Sequence, residues 1–195
     1  PNWDQAYGLE LLELFGLDPA KKVKHLSKGM RAQAGLIAVV SHRPDLLLLD
    51  EPSTGLDAVV RRDILNAIVR TVADDGRTAI FSSHLLDEVE QMSDHVFMVD
   101  GGKLVLEGSL DEIKESHHLL VLRFPRACER LPPIEGVLSA EGSGNTWKVV
   151  CNGAAGQVRE AAQAMGGEVT LSRGASLQEI FVARVGRDRL KASQE

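Results

Sequence analysis

The chain is short of most features that would set it apart from ordinary globular proteins. Its two cysteines, Cys128 and Cys151, make no disulfide framework and match no metal-ligand spacing, so a reducing compartment is the simplest setting. Long apolar runs are missing. Stretches such as Leu36 to Val40 fall far below the roughly 20 residues that span a bilayer. The start holds Asp4 and Glu10 where a signal peptide would have a basic region and an apolar core. There is no basic stripe either. Residues 1–117 carry 12 Lys and Arg against 20 Asp and Glu, a net of −8, and residues 118–195 carry 10 against 8, a net of +2. That balance argues against nucleic acid as the main partner. It leaves room for nucleotides, which are held by local dipoles and a metal ion. No internal repeat or low-complexity tract is visible. At 195 residues, 44% of them hydrophobic, the chain can bury one full domain and a small second one.

One stretch organises what is present: Leu46-Leu47-Leu48-Leu49-Asp50-Glu51-Pro52-Ser53-Thr54-Gly55-Leu56-Asp57. Four consecutive leucines, too few for a membrane span, predict a strand buried on both faces of a parallel sheet. Two carboxylates follow at the strand end, where open α/β sheets place their ligands, and Pro-Ser-Thr-Gly forces a turn. A strand, Asp, Glu and a turn form a Walker B arrangement: the first acid positions Mg²⁺ through its water shell and the second orients an attacking water. The plainer reading is a strand ending in a solvated acidic turn.

Helix signals surround this stretch. Residues 5–16 place Ala6, Leu9 and Leu12 at helical spacing, with Gly16 as a stop. Asp18-Pro19 opens a short turn or helix through Lys24. In His25-Leu26-Ser27-Lys28-Gly29-Met30-Arg31, Ser27 is an N-cap and Gly29 permits close approach of a ligand to the backbone. A helix over about 28–41 should bury Ala34, Ile37, Ala38 and Val40, and its N-terminal N–H groups suit a phosphate. An ordinary capped helix would look the same. After the acidic turn, 57–75 reads as a helix with Ile64, Leu65, Ile68, Val69 and Val72 inward, closed by Asp74-Asp75-Gly76-Arg77. A strand at 78–83 brings His84 to its end, followed by a short helix at 87–92 and a hairpin over 96–107 turning at Asp100-Gly101-Gly102. Gly108-Ser109 caps a helix at about 110–115. From His117-His118 the texture changes to strands at 119–124, 137–140 and 146–151, a helix at 157–165, a strand at 168–172 and a helix at 177–185, with a charged tail from Gly186. The sequence therefore predicts an α/β domain with an incomplete parallel sheet over 1–116, a small α+β module over 117–186 and a tail over 187–195.

Taken together these segments resemble the ATP-binding subunit of ABC transporters. Leu26-Ser27-Lys28-Gly29-Met30-Arg31 stands as the signature motif, Leu46–Glu51 as Walker B, Ser53–Asp57 as the D-loop and His84 as the H-loop. Their order and spacing match the family, about 20 residues from signature to Walker B and about 33 from Glu51 to His84. The second module resembles the accessory domain of the drug-export, ABC-2-type branch through Ala175-Ser176-Leu177-Gln178-Glu179-Ile180-Phe181, and Lys28-Gly29-Met30 fits that branch too. The resemblance implies a P-loop NTPase fold, ATP and Mg²⁺ as cofactors, Asp50 at the metal, and Glu51 and His84 as catalytic groups, one polarising water and the other sensing the γ-phosphate. It implies that Ser27, Lys28 and Gly29 close over ATP held by a second subunit in a head-to-tail dimer, with Asp57 linking the two sites. His84 could equally cap a strand end, and Asp57 the following helix. Partners would be that second ATPase subunit and a membrane permease, and the location the cytoplasmic face of the membrane, peripherally.

One departure matters. No Gly-x-x-x-x-Gly-Lys-Ser/Thr phosphate loop occurs in the 195 residues, and the glutamine loop and aromatic adenine contact are missing too. Lys103 follows Gly101-Gly102 in a hairpin and cannot replace the loop. With Pro1 at its start, the chain reads as a processed product or the C-terminal part of a longer ATPase subunit, inactive by itself. A non-transport ABC ATPase, or a non-catalytic chain lending its signature to an intact partner, are the other readings.

Overall fold

The computed structural model describes residues 3–73 and 76–192, with side chains through residue 186. The expectations for Pro1, for Asp74-Asp75 and for the last three residues of the tail lie outside the described residues. Two compact units divide the chain, residues 1–88 and 89–195, and each is taken by itself.

In the first unit, helix α1 (Gln5–Leu14) is capped by Asp4, whose carboxylate accepts from Tyr7 N at 3.0 Å. A 3-10 turn (Val23–His25) leads to α2 (Lys28–Val40), then β1 (Leu46–Leu49), α3 (Ala58–Ala73), β2 (Thr78–Phe81) and the start of α4 (Leu86–Met92). β1 and β2 pair in parallel with Leu47 opposite Ala79 and Leu49 opposite Phe81. A parallel pair needs a crossover, and α3 supplies it.

The four leucines are not buried on both faces. Leu47 is buried, but Leu46 and Leu48 are 50% and 68% exposed. Successive strand residues point to opposite faces. Leu48 lies opposite Ile80, itself 54% exposed, and no described element of this unit covers that side. Helix faces are also rotated from the expectation. α1 buries Tyr7, Gly8 and Leu11, with Leu9 exposed. α2 buries Gln33, Leu36, Ile37 and Val40 and leaves Ala38 exposed. α3 buries Ile64, Ala67, Ile68 and Thr71, leaving Val69 out. Buried Thr71 meets the Tyr7 hydroxyl at 2.8 Å, so a polar residue takes a core position because its hydroxyl is satisfied there.

The second unit begins with the rest of α4 and an antiparallel hairpin, β3 (His95–Asp100) and β4 (Lys103–Ser109), turning at Gly101-Gly102 as expected. Ser109 caps α5 (Leu110–Ser116). A four-stranded antiparallel sheet follows, in the order β6 (Val137–Ser143), β7 (Thr146–Asn152), β5 (His117–Arg123) and β8 (Glu168–Gly174), with helices α6 (Ala155–Ala164) and α7 (Leu177–Ala192). Leu120, Leu122 and Phe124 of β5 and the segment after it pack with Val149, Cys151 and the α6 residues Val158 and Ala162. α7 starts with a reciprocal cap: Glu179 N donates to Ser176 Oγ at 3.2 Å, and Ser176 N to Glu179 Oε2 at 3.0 Å. Burial pushes the Glu179 carboxyl up, but bonds from Arg173, Ser176 and Lys148 outweigh it and bring its pKa to about 2. α7 runs on to Ala192, so the tail expected from Gly186 is helical through that residue.

His117, 2% exposed, joins three elements of this unit. Its Nδ1 lies 2.8 Å from Ile113 O and 3.0 Å from Ser116 Oγ, and its Nε2 lies 3.0 Å from Arg184 Nη2 of α7. Arg184 only donates, so Nε2 accepts and the ring is the neutral Nδ1–H tautomer. Burial, and the charges of Arg184 and His118, push the His117 pKa below its ordinary 6.5, partly opposed by the bond to Ile113 O. A depressed histidine lets the unfolded chain bind the proton first. Stability is therefore full above about pH 6.5 and falls as pH drops through that value. Urea unfolding of His117→Gln between pH 7 and pH 5 is expected to show a flatter pH slope than wild type, and equal slopes would overturn this.

Candidate functional site

The acidic turn stands at the carboxyl end of β1, and β2 builds its other wall. Ser82, just past β2, donates from N to Leu49 O at 2.9 Å. Its hydroxyl donates to Asp50 Oδ1 at 2.6 Å and accepts from Glu51 N at 2.9 Å. One serine thereby locks both acids to the neighbouring strand. Glu51 has a φ of +46°, left-handed backbone that a non-glycine residue holds only when its surroundings impose it. Its Oε2 accepts from Thr54 Oγ1 at 2.5 Å and lies 2.7 Å from His84 Nδ1. The Thr54 hydroxyl, and after it the His84 ring, hold the Glu51 carboxyl below its ordinary value. Both of these side-chain bonds fall on Oε2, and the Glu51 side chain is 36% exposed.

Of the residues singled out in the sequence, Asp50, Glu51 and His84 converge on this turn. Lys28 reaches it as well: a Cβ built on Gly55 (φ +69°) would meet the Lys28 Nζ, so the ammonium lies over the D-loop backbone. Ser27 caps α2 by accepting from Met30 N at 3.2 Å. A Cβ on Gly29 would lie 3.2 Å from both methyl groups of Val60, so this glycine allows α2 and α3 to pack closely at their starts. Asp57 caps α3, its Oδ1 accepting from Val59 N and Val60 N at 3.1 Å each. Among the described residues, no hydrogen bond joins Ser27, Gly29 or Asp57 to Glu51.

Sequence reasoning missed two residues. Ser82 shows itself only through pairing of β2 with β1. Glu88, 7% exposed, accepts from Ser53 Oγ at 2.7 Å and Ser83 Oγ at 3.3 Å, and meets Arg61 Nε at 3.4 Å. A glutamate in Asp87-Glu88-Val89-Glu90 reads as a surface residue, and no local signal in the sequence marks it otherwise.

No group of three or more His, Cys, Asp or Glu among the described residues is arranged to hold a metal ion. Asp50 offers a single exposed carboxylate, which fits Mg²⁺ brought in with a nucleotide and ligated mostly by phosphate and water. In the second unit, a cavity of about 570 Å³ lies beneath residues 130–137 against Leu122, Trp147 and Val149. Its charged rim groups, Arg130 and Glu135, are both exposed and no buried polar side chain points into it.

A parallel strand pair joined by a crossover helix, with two acids at the carboxyl end of the first strand and a histidine after the second, gives the first unit a mixed α/β fold with its candidate site at the strand ends. No known protein-family profile matches the chain. Curated relatives do. The chain is 27% identical over 189 residues to the ABC transporter ATP-binding protein YtrB of Bacillus subtilis, covering 97% of this chain and 65% of that protein. It is 36% identical over 176 residues to an ABC transporter ATP-binding protein of Alkalihalophilus pseudofirmus, covering 85% and 64%. It is 39% identical over 136 residues to the daunorubicin/doxorubicin resistance ATP-binding protein DrrA of Streptomyces peucetius, covering 68% and 41%. The chain is thus similar to ABC transporter ATP-binding proteins along 68% to 97% of its own length. It spans between 41% and 65% of the length of these relatives.

Proposed function

We propose that the chain is an ATP-binding and ATP-hydrolysing component of an ABC transporter that powers export through a membrane permease. The observation that carries this is Glu51, held in a left-handed conformation at the end of β1 with His84 on its Oε2. Thr54 and His84 fix that oxygen, so Oε1 is the atom turned to orient an attacking water and take its proton. A lowered pKa keeps the carboxylate ionised, which suits positioning more than strong basicity, and phosphoryl transfer asks mainly for positioning. ATP with Mg²⁺ would supply the reacting γ-phosphoryl group and much of the charge neutralisation. Asp50 would hold the ion's water shell, and His84 would contact the γ-phosphate through the ring edge away from Glu51.

Ser27, Lys28 and Gly29 would serve ATP bound to a second subunit in a head-to-tail dimer, with Asp57 between the two sites. In this reading 1–116 carries the ATPase motifs, 117–186 is an accessory module and 187–195 a tail. No helix among the described residues is long and apolar enough to cross a membrane. The chain would sit on the cytoplasmic face by docking on its permease, with no part for nucleic acid.

Since the 195 residues contain no phosphate loop, the chain alone is expected to show no ATP hydrolysis that Glu51→Gln removes. A phosphate-release assay on the purified chain and that variant checks it. Hydrolysis by the isolated chain that the variant abolishes would contradict the half-site reading.

A further inference from the structure

We propose that Glu88 is the positioning residue for Glu51, one buried carboxylate oxygen anchoring both segments whose side chains grip it. The proposal rests on the reading of Glu51 as the water-orienting acid. Glu88 Oε2 accepts from Ser53 Oγ and Ser83 Oγ. The next residues along the chain are Thr54 and His84, the two side chains bonded to Glu51 Oε2. The D-loop and the histidine loop are thus both tied to one oxygen of Glu88 and, one residue further along each, to one oxygen of Glu51.

A helix-dipole role would explain an acid in the first turn of α4, but exposed Asp87 meets that need equally well. It does not explain burial. A carboxylate is costly to bury unless it is hydrogen-bonded and paired, and Glu88 has two hydroxyls on Oε2 and Arg61 Nε 3.4 Å from Oε1. Ser53 is fully buried, so its hydroxyl has no water to turn to if Glu88 is removed. Ser83 is fixed further because its Oγ accepts from Leu85 N at 3.0 Å. The strained Glu51 backbone needs such external fixing, since its own preference is for other conformations.

The test is NMR at one fixed pH on the chain as it stands, reading the ¹⁵N shift of His84 Nδ1 and the ¹³C carboxyl shift of Glu51, which both report the Glu51–His84 hydrogen bond. Glu51→Gln assigns the carboxyl signal and gives the His84 position with the carboxylate removed. Glu88→Gln should leave both signals where wild type has them, because an amide oxygen still accepts from both serines, while melting at a lower temperature for loss of the Arg61 pairing. The double variant Ser53→Ala/Ser83→Ala keeps the Glu88–Arg61 pair. It should nevertheless move the His84 Nδ1 signal to its position in Glu51→Gln and shift the Glu51 carboxyl carbon. The two single variants should each move both signals part of the way, and they carry the test if the double does not fold. Unchanged signals in the serine variants would overturn the proposal, as would loss of the His84 signal position in Glu88→Gln. No nucleotide enters the measurement, so failure of the hydrolase reading would leave this result standing.

Discussion

Ser27→Asp is expected to weaken the ATP-dependent association of this chain with an intact ABC ATP-binding subunit by about 100-fold, while Ser27→Asn leaves it within a few-fold. Ser27 does two jobs in the proposed function, and these variants separate them. As the N-cap of α2 its hydroxyl accepts from Met30 N. Asp and Asn cap equally well, so neither variant should unravel the helix start. The second job depends on charge. The first N–H groups of α2 and its positive dipole end favour a phosphate, and an introduced carboxylate would face that phosphate directly. Like charges brought together at an interface cost several kcal/mol, and about 1.4 kcal/mol corresponds to each tenfold in affinity. Calorimetric titration of the intact subunit with this chain, in ATP, measures the effect. Equal affinity for wild type and Ser27→Asp would show that the start of α2 does not meet a nucleotide. Glu51→Gln in the same mixture should leave the partner's hydrolysis nearly unchanged, because the competent phosphate loop belongs to the partner.

What was legible in the sequence follows from how local each cause is. The cap at Ser27, the strand end at Asp50-Glu51 and the hairpin at Gly101-Gly102 are set by residues within a few positions of one another, and all three stand where the pattern placed them. The exposure of Leu46 and Leu48 was not legible, because a run of leucines reports what a strand tolerates on its faces and not how many neighbours cover them. Val69 and Thr71 show the same limit. Hydropathy put Val69 inside, yet Thr71 occupies the core because Tyr7, 64 positions away, offers its hydroxyl. Glu88 is the strongest case. Nothing local separates it from Glu90, and its burial arises from two serines and an arginine that only the tertiary fold assembles. The residues proposed to bear chemistry are thus visible in local patterns of the sequence. Those that hold them in place depend on contacts distant in the chain.

In the second unit the same dependence on surroundings distinguishes two leucines that the sequence treats alike. Leu120→Ala is expected to cost about 3–5 kcal/mol and Leu122→Ala roughly 2–3 kcal/mol. Leu120 and Leu122 are 0% and 1% exposed, and both belong to the core beneath α6. Transfer free energy alone would make the two losses equal. The difference lies in what each truncation leaves behind. Leu122 lines the cavity of about 570 Å³, so removing its methyl groups enlarges a space that already exists. Leu120 is no part of that lining. It lies opposite Val149 on β7 and Ser172 on β8, and its truncation opens a separate closed void between strands that cannot collapse without breaking their register. Urea unfolding followed by Trp147 fluorescence, in a Trp3→Phe background so that one tryptophan reports on this unit, compares the two variants. A larger loss for Leu122→Ala would show that the space under residues 130–137 closes over the core and that Leu122 is packed as tightly as Leu120.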